Sequence, residues 1–117
     1  MYFYIDENLM IIVVNKKFYK GDCEYVGRPS ILGNPYTHRN TSTIAKYKCS
    51  TIEESIYKYK EWLIANITNP SIYNELNRLA DIAEKSDLYI GCWCVPFSDC
   101  HGNFIKETIE LILSDRK

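Results

Sequence analysis

The sequence predicts a small single-domain α/β fold, a Rossmann-like sheet flanked by three helices in the order β-β-α-α-β-α. Three observations carry this expectation. Residues 9–15 and 88–94 are short apolar runs of strand length. Between them lie two stretches whose apolar residues recur at helical intervals, each with its own start signal. A third helical pattern follows the second run. A strand, a crossover carrying two helices and a further strand is the pattern that returns a chain to the same sheet.

Residues 2–5 and 9–15 are β-type runs around the turn-prone Asp6-Glu7-Asn8, and Val13 and Val14 predict a buried strand. Lys20-Gly21-Asp22 predicts a turn, and Glu24-Tyr25-Val26 a brief further strand. The next ten residues, Gly27-Arg28-Pro29-Ser30-Ile31-Leu32-Gly33-Asn34-Pro35-Tyr36, hold two Gly and two Pro and must be irregular. Residues 37–49 are polar and predict a mobile loop. Ser50-Thr51-Ile52-Glu53 has capping-box spacing, and Ile52, Ile56, Leu63 and Ile67 extend it into a helix over 52–67. Asn69-Pro70 opens a second helix marked by Ile72, Leu76, Leu79 and Ala83. Residues 88–94 predict a buried strand; beyond Pro96, Ser98 or Asp99 caps a third helix with Ile105, Ile109 and Ile112 on its core face.

Composition narrows the function. Apolar residues at 46% and charged residues at 25% exclude a disordered chain of 117 residues. A net charge of -1, from 14 basic and 15 acidic side chains, argues against nucleic acid as partner and leaves room only for a local basic pocket. Ten Tyr against four Phe predict half-buried aromatics with wet hydroxyls. The longest apolar run is six residues, 9–14, far short of the roughly 20 that a spanning helix needs, so no membrane is expected. Asp6 and Glu7, without an early Lys or Arg, do not resemble a secretory signal. Five cysteines, three of them at 92, 94 and 100, then predict metal binding or reactivity in a reducing cytoplasm, not a disulfide framework.

Open α/β sheets bind ligands beyond the carboxyl ends of their strands. That edge would bring residues 28–34 together with residues 94–101. Cys92, Cys94, Cys100 and His101 could close a tetrahedral zinc site, although Cys92 equally suits a small buried apolar position. Cys100, in the first turn of the third helix, would have a lowered thiol pKa or leave its N–H groups to a phosphate; an Asp99 cap opposes both uses and a Ser98 cap does not. Adjacent helical residues face apart, so Cys100 and His101 make a poor nucleophile–base pair. His101 reads instead as a ligand contact, a metal ligand or a capped surface residue. Arg28 is either aimed at a phosphate or carboxylate, or ties the carbonyls of its own loop together. Asn34 either bonds a base or ribose, or forms an Asx-type turn. Tyr36 and Trp93 can stack on a flat ligand, and core packing is the competing role for Trp93. No GxGxxG, P-loop, HExxH or GxSxG sequence occurs.

The loop 27–36, the helix segment Tyr59-Lys60-Glu61-Trp62-Leu63, and Cys92-Trp93-Cys94-Val95-Pro96 with Cys100-His101-Gly102 together resemble a known family. It is a small domain of unknown function, common in bacteriophages and seen also in bacteria and large viruses. Its hallmarks are an R-P-S-x-L-G-N-P-aromatic loop, a Tyr-x-x-Trp-Leu helix, then C-W-C-x-P and C-H. The resemblance runs from about residue 13 to 110, with one residue more than usual between the second and third cysteines. It implies a viral or mobile-element origin and no particular chemistry.

The expected function is binding of a small anionic, nucleotide-type ligand by Arg28, Ser30, Asn34, Tyr36, Cys94, Cys100 and His101. In a phage or virus, such a protein would sequester a host immune signalling nucleotide in the host cytoplasm. The alternatives are a nucleotide- or N-glycoside-processing hydrolase or transferase using Cys100 or a bound zinc, and a protein-binding inhibitor with a structural Cys/His cluster. A homodimer could complete the pocket across its two-fold axis.

Overall fold

The computed structural model describes residues 10–28, 30–37, 47, 48, 50–93 and 101–116. The expected strand at 2–5 and the cap of the third helix lie outside them. The chain forms β1 (Ile11–Asn15), β2 (Glu24–Tyr25), β3 (Tyr36–Thr37), β4 (Tyr47–Lys48), α1 (Ile52–Asn66), α2 (Pro70–Lys85), β5 (Leu88–Cys92) and α3 (His101–Asp115). This is a mixed α/β domain with a three-stranded parallel sheet and three helices, compatible with a Rossmann-like arrangement.

The sheet order is β1-β5-β2, with Val13 opposite Ile90 and Tyr25 opposite Gly91. The last strand in the chain is therefore the central one. That explains the one correction to β1: every residue in it is only half-buried, because it forms an edge of the sheet. Ile11 and Val13 still pack on the core.

Leu88, Ile90 and Cys92 alternate toward the helices and join a core with Leu76, Leu79 and Ala83 of α2 and Ile105, Ile109 and Leu113 of α3. Leu113 completes the α3 stripe where Ile112 was expected. The step from Ile105 to Ile109 to Leu113 keeps to four residues, leaving Ile112 at the border. The opposite face of the sheet is crossed by the segment 16–23. Tyr19 stacks on Tyr89 at 5.2 Å. A Cβ at Gly91 would come within 2.5 Å of the Cys23 Sγ and 3.1 Å of the Lys16 Cγ, so the crossing needs glycine there.

The helix starts obey capping chemistry with one shift. Thr51, not Ser50, caps α1: its Oγ1 accepts from Glu54 N at 3.0 Å, and Ser50 N donates to Glu54 Oε1. Asn69 caps α2 by accepting from Ser71 N, with Pro70 at the first helical position. Two other expectations need correction. The segment 37–49 is not all loop, and Tyr36 is not irregular. Tyr36–Thr37 pairs in parallel with Tyr47–Lys48, supported by a tilted ring contact of Tyr36 with Tyr47 at 5.0 Å.

Leu79 is fully buried at the meeting of α2 with the sheet, whereas Leu111 on α3 is 68% exposed. We expect Leu79→Ala to lower the unfolding free energy by about 2–5 kcal/mol and Leu111→Ala to change it by no more than about 0.5 kcal/mol, read from urea midpoints.

Candidate functional site

β1, β2 and β5 end together at Asn15, Tyr25 and Cys92, and the segment 26–37 folds back over that edge. A chain running across a sheet end cannot pair its carbonyls in a ladder, so each needs another donor. Here they find them. Within the loop, Ser30 N donates to Gly27 O and Gly33 N to Ser30 O, while Leu32 N donates to the Ser30 Oγ. The Arg28 Nη1 donates to Asn34 O at 3.0 Å and to Tyr36 O at 3.2 Å. The Tyr25 hydroxyl donates to Arg28 O at 2.6 Å, and Tyr47 N donates to Pro35 O.

The remaining donors come from the helices beneath. Tyr59 of α1 is fully buried, and its hydroxyl donates to Leu32 O at 2.7 Å. Burial pushes this phenol far above the ordinary tyrosine range, so it remains a donor. Leu32 itself inserts into the core as a plug. Ser55 Oγ donates to Tyr36 O and accepts from Asn34 Nδ2 at 2.9 Å. His101, the first residue of α3, is buried with its Nε2 at 3.1 Å from Val26 O. Its ring stands edge-on to Tyr59 at 5.1 Å. Burial lowers the His101 pKa below 6.5 against the bond to Val26, with the Arg28 charge lowering it further. The ring is therefore neutral and carries its proton on Nε2, facing the carbonyl. Gly33 closes the loop on itself, since a Cβ there would lie 2.9 Å from Arg28 N.

Of the expected site residues, Arg28, Ser30, Asn34, Tyr36 and His101 come together around this loop. Arg28 ties loop carbonyls, and Asn34 makes the Asx turn by accepting from Tyr36 N at 2.9 Å. The surface reading of His101 is corrected by its burial, which its contact with Val26 requires. The core reading of Trp93 is corrected too: the indole is 59% exposed on the helix-free face, since alternation turns Cys92 inward and its neighbour outward. Cys92 sits in the core, while Cys94, Ser98, Asp99 and Cys100 lie outside the described residues. Among the described residues no three His, Cys, Asp or Glu side chains are grouped as metal ligands. No helix among them is long and apolar enough to cross a membrane.

A model of the family described as a domain of unknown function, DUF4326, matches residues 14–111. The chain belongs to this family. Neither a curated protein nor a solved structure matches it. The DUF4326 match thus spans the end of β1, all of β2 and β5, the loop and most of α3. Sequence reasoning missed the DUF4326 residues that anchor the loop from outside it: Tyr25, Ser55 and Tyr59. Tyr59 carried a signal. It sits on the apolar stripe of α1 between Ile56 and Leu63, where a buried hydroxyl demands a partner.

Two cavities lie away from the loop. One of about 560 Å³ is rimmed by Asp22, Glu24 and Asp87, carboxylates that repel a phosphate. The other, of about 530 Å³, lies between α2 and α3 beside Ile67, Tyr73 and Ile112.

We expect Tyr59→Phe to cost about 1–3 kcal/mol by leaving Leu32 O without its donor, measured by urea unfolding. A pH series tests His101. The unfolded chain takes up the proton first as pH falls, so the stability of the neutral ring is complete above about pH 6.5 and declines below it. The loss between pH 7 and pH 5 should be smaller in His101→Gln than in the parent.

Proposed function

We propose that this DUF4326 domain binds a small nucleotide-type ligand, carrying phosphate and ribose, at the carboxyl edge of its parallel sheet. The observation that carries the reading is the loop 26–37. It is closed by donors from β2, α1 and α3 at the edge where parallel sheets take ligands, and it holds the Arg28 charge in fixed position. A loop ordered before binding loses little entropy on binding, which is the general route to affinity in a small site. Arg28, Ser30, Asn34, Tyr36 and His101 border the ligand or hold the backbone that does. Cys94 and Cys100, on the segment leading into α3, complete the set.

The use this reading assigns is sequestration by a phage or viral chain of a host immune signalling nucleotide, which needs no acid–base pair. The enzyme reading requires Cys100 as a nucleophile, or zinc held by Cys92, Cys94, Cys100 and His101. Cys92 and His101 are both buried, and His101 Nε2 faces a carbonyl, so only Nδ1 would serve as a ligand atom.

Thermal denaturation with AMP, GMP, CMP and UMP, each against ribose 5-phosphate, tests the proposal. At about 100 times its Kd a bound nucleotide adds about 2.7 kcal/mol, a rise in Tm on the order of 10 °C. The nucleotide should be recovered with unchanged mass. Recovery as a changed mass, abolished by Cys100→Ser, would establish the enzyme reading instead. No shift with any of the four would sink both.

A further inference from the structure

Resting on that nucleotide reading, we propose that the base stacks on Trp93, on the helix-free face of the sheet, and that Lys16 supplies the positive charge beside it. Three side chains from three strand ends meet there. Trp93 follows β5, Tyr25 ends β2 and Lys16 follows β1. The Trp93 Nε1 donates to the Tyr25 hydroxyl at 3.2 Å, and that hydroxyl donates on to Arg28 O of the family loop. The Lys16 Nζ lies over the Tyr25 ring, 5.1 Å from its centroid.

Each part has the property the task needs. Trp93 keeps more than half of its surface in water, and a hydrogen bond at its edge holds the ring. Tyr36, the other aromatic candidate, already has Tyr47 against its ring. No carboxylate among the described residues is paired with Lys16; the acidic groups that form ion pairs, Glu24, Glu75, Asp81 and Glu84, go to Arg78 and Arg116. Gly91 makes the arrangement possible, because the Lys16 stem crosses the sheet where a Cβ would stand. An exposed ring beside an unpaired ammonium suits a flat anionic ligand. The larger face of a purine gains more from the indole than a pyrimidine does, so the site favours purine nucleotides.

The protein has two tryptophans, so Trp62→Phe leaves Trp93 as sole reporter. In this variant AMP should quench the fluorescence more strongly than UMP, and ribose 5-phosphate should leave it unchanged. Trp93→Ala should weaken AMP about 5- to 100-fold, the usual consequence of removing a stacking aromatic, with Trp93→Phe recovering most of it. Lys16→Gln should weaken AMP and ribose 5-phosphate alike and reduce the salt dependence of both. AMP binding that persists undiminished in a folded Trp93→Ala protein, judged by circular dichroism, overturns this assignment and leaves the nucleotide reading standing. Failure of all four nucleotides to shift the Tm removes that reading, and this assignment with it.

Discussion

Backbone carbonyls that turn away from a sheet must still be paired, and the architecture of this protein depends on how the segment after β2 meets that requirement. From Val26 to Tyr36, carbonyls accept from His101, Ser30, Tyr25, Gly33, Tyr59, Arg28, Tyr47 and Ser55. Five of those eight residues, His101, Tyr25, Tyr59, Tyr47 and Ser55, lie outside the loop itself. Each such bond is worth little net, but an orphaned buried carbonyl costs about 1–3 kcal/mol, so the set stands or falls together. A single Arg28 nitrogen, Nη1, bridges two of these carbonyls, those of Asn34 and Tyr36.

The same bonds connect the layers of the fold. Tyr59 joins α1 to the loop, and its ring meets His101, which joins the loop to α3. Leu32 fills the space between them as part of the core. Displacing one of these residues disturbs both helix packing and the sheet edge. On the other face the logic is lighter. Tyr25 connects Trp93 to Arg28, so the helix-free face and the family loop share this phenol. The two faces of this sheet edge are linked in this way.

The elements that depend on neighbours in sequence are legible without the structure. The apolar stripe of α2 and its Asn69-Pro70 start are read almost to the residue, because both are set within one helical turn. The α1 cap is misplaced by one residue for a related reason: Ser50 and Thr51 are chemically equivalent hydroxyls, and only the backbone geometry chooses between them. β3 and β4 escape detection because each is two residues long, too short for any period, and they exist only through their pairing.

The local pattern of residues thus determines the helices, the central strand, the irregular loop at 27–36 and the grouping of its motif residues. Tertiary structure alone decides what those residues do. Val26 and His101 are 75 positions apart, Leu32 and Tyr59 27, Asn34 and Ser55 21, and Tyr25 and Trp93 68. Whether a histidine is buried or a tryptophan exposed depends on which face of the sheet the helices cover, and the order β1-β5-β2 sets that. Side-chain periodicity states that two faces exist; only the path of the chain between strands states which one is left open to water.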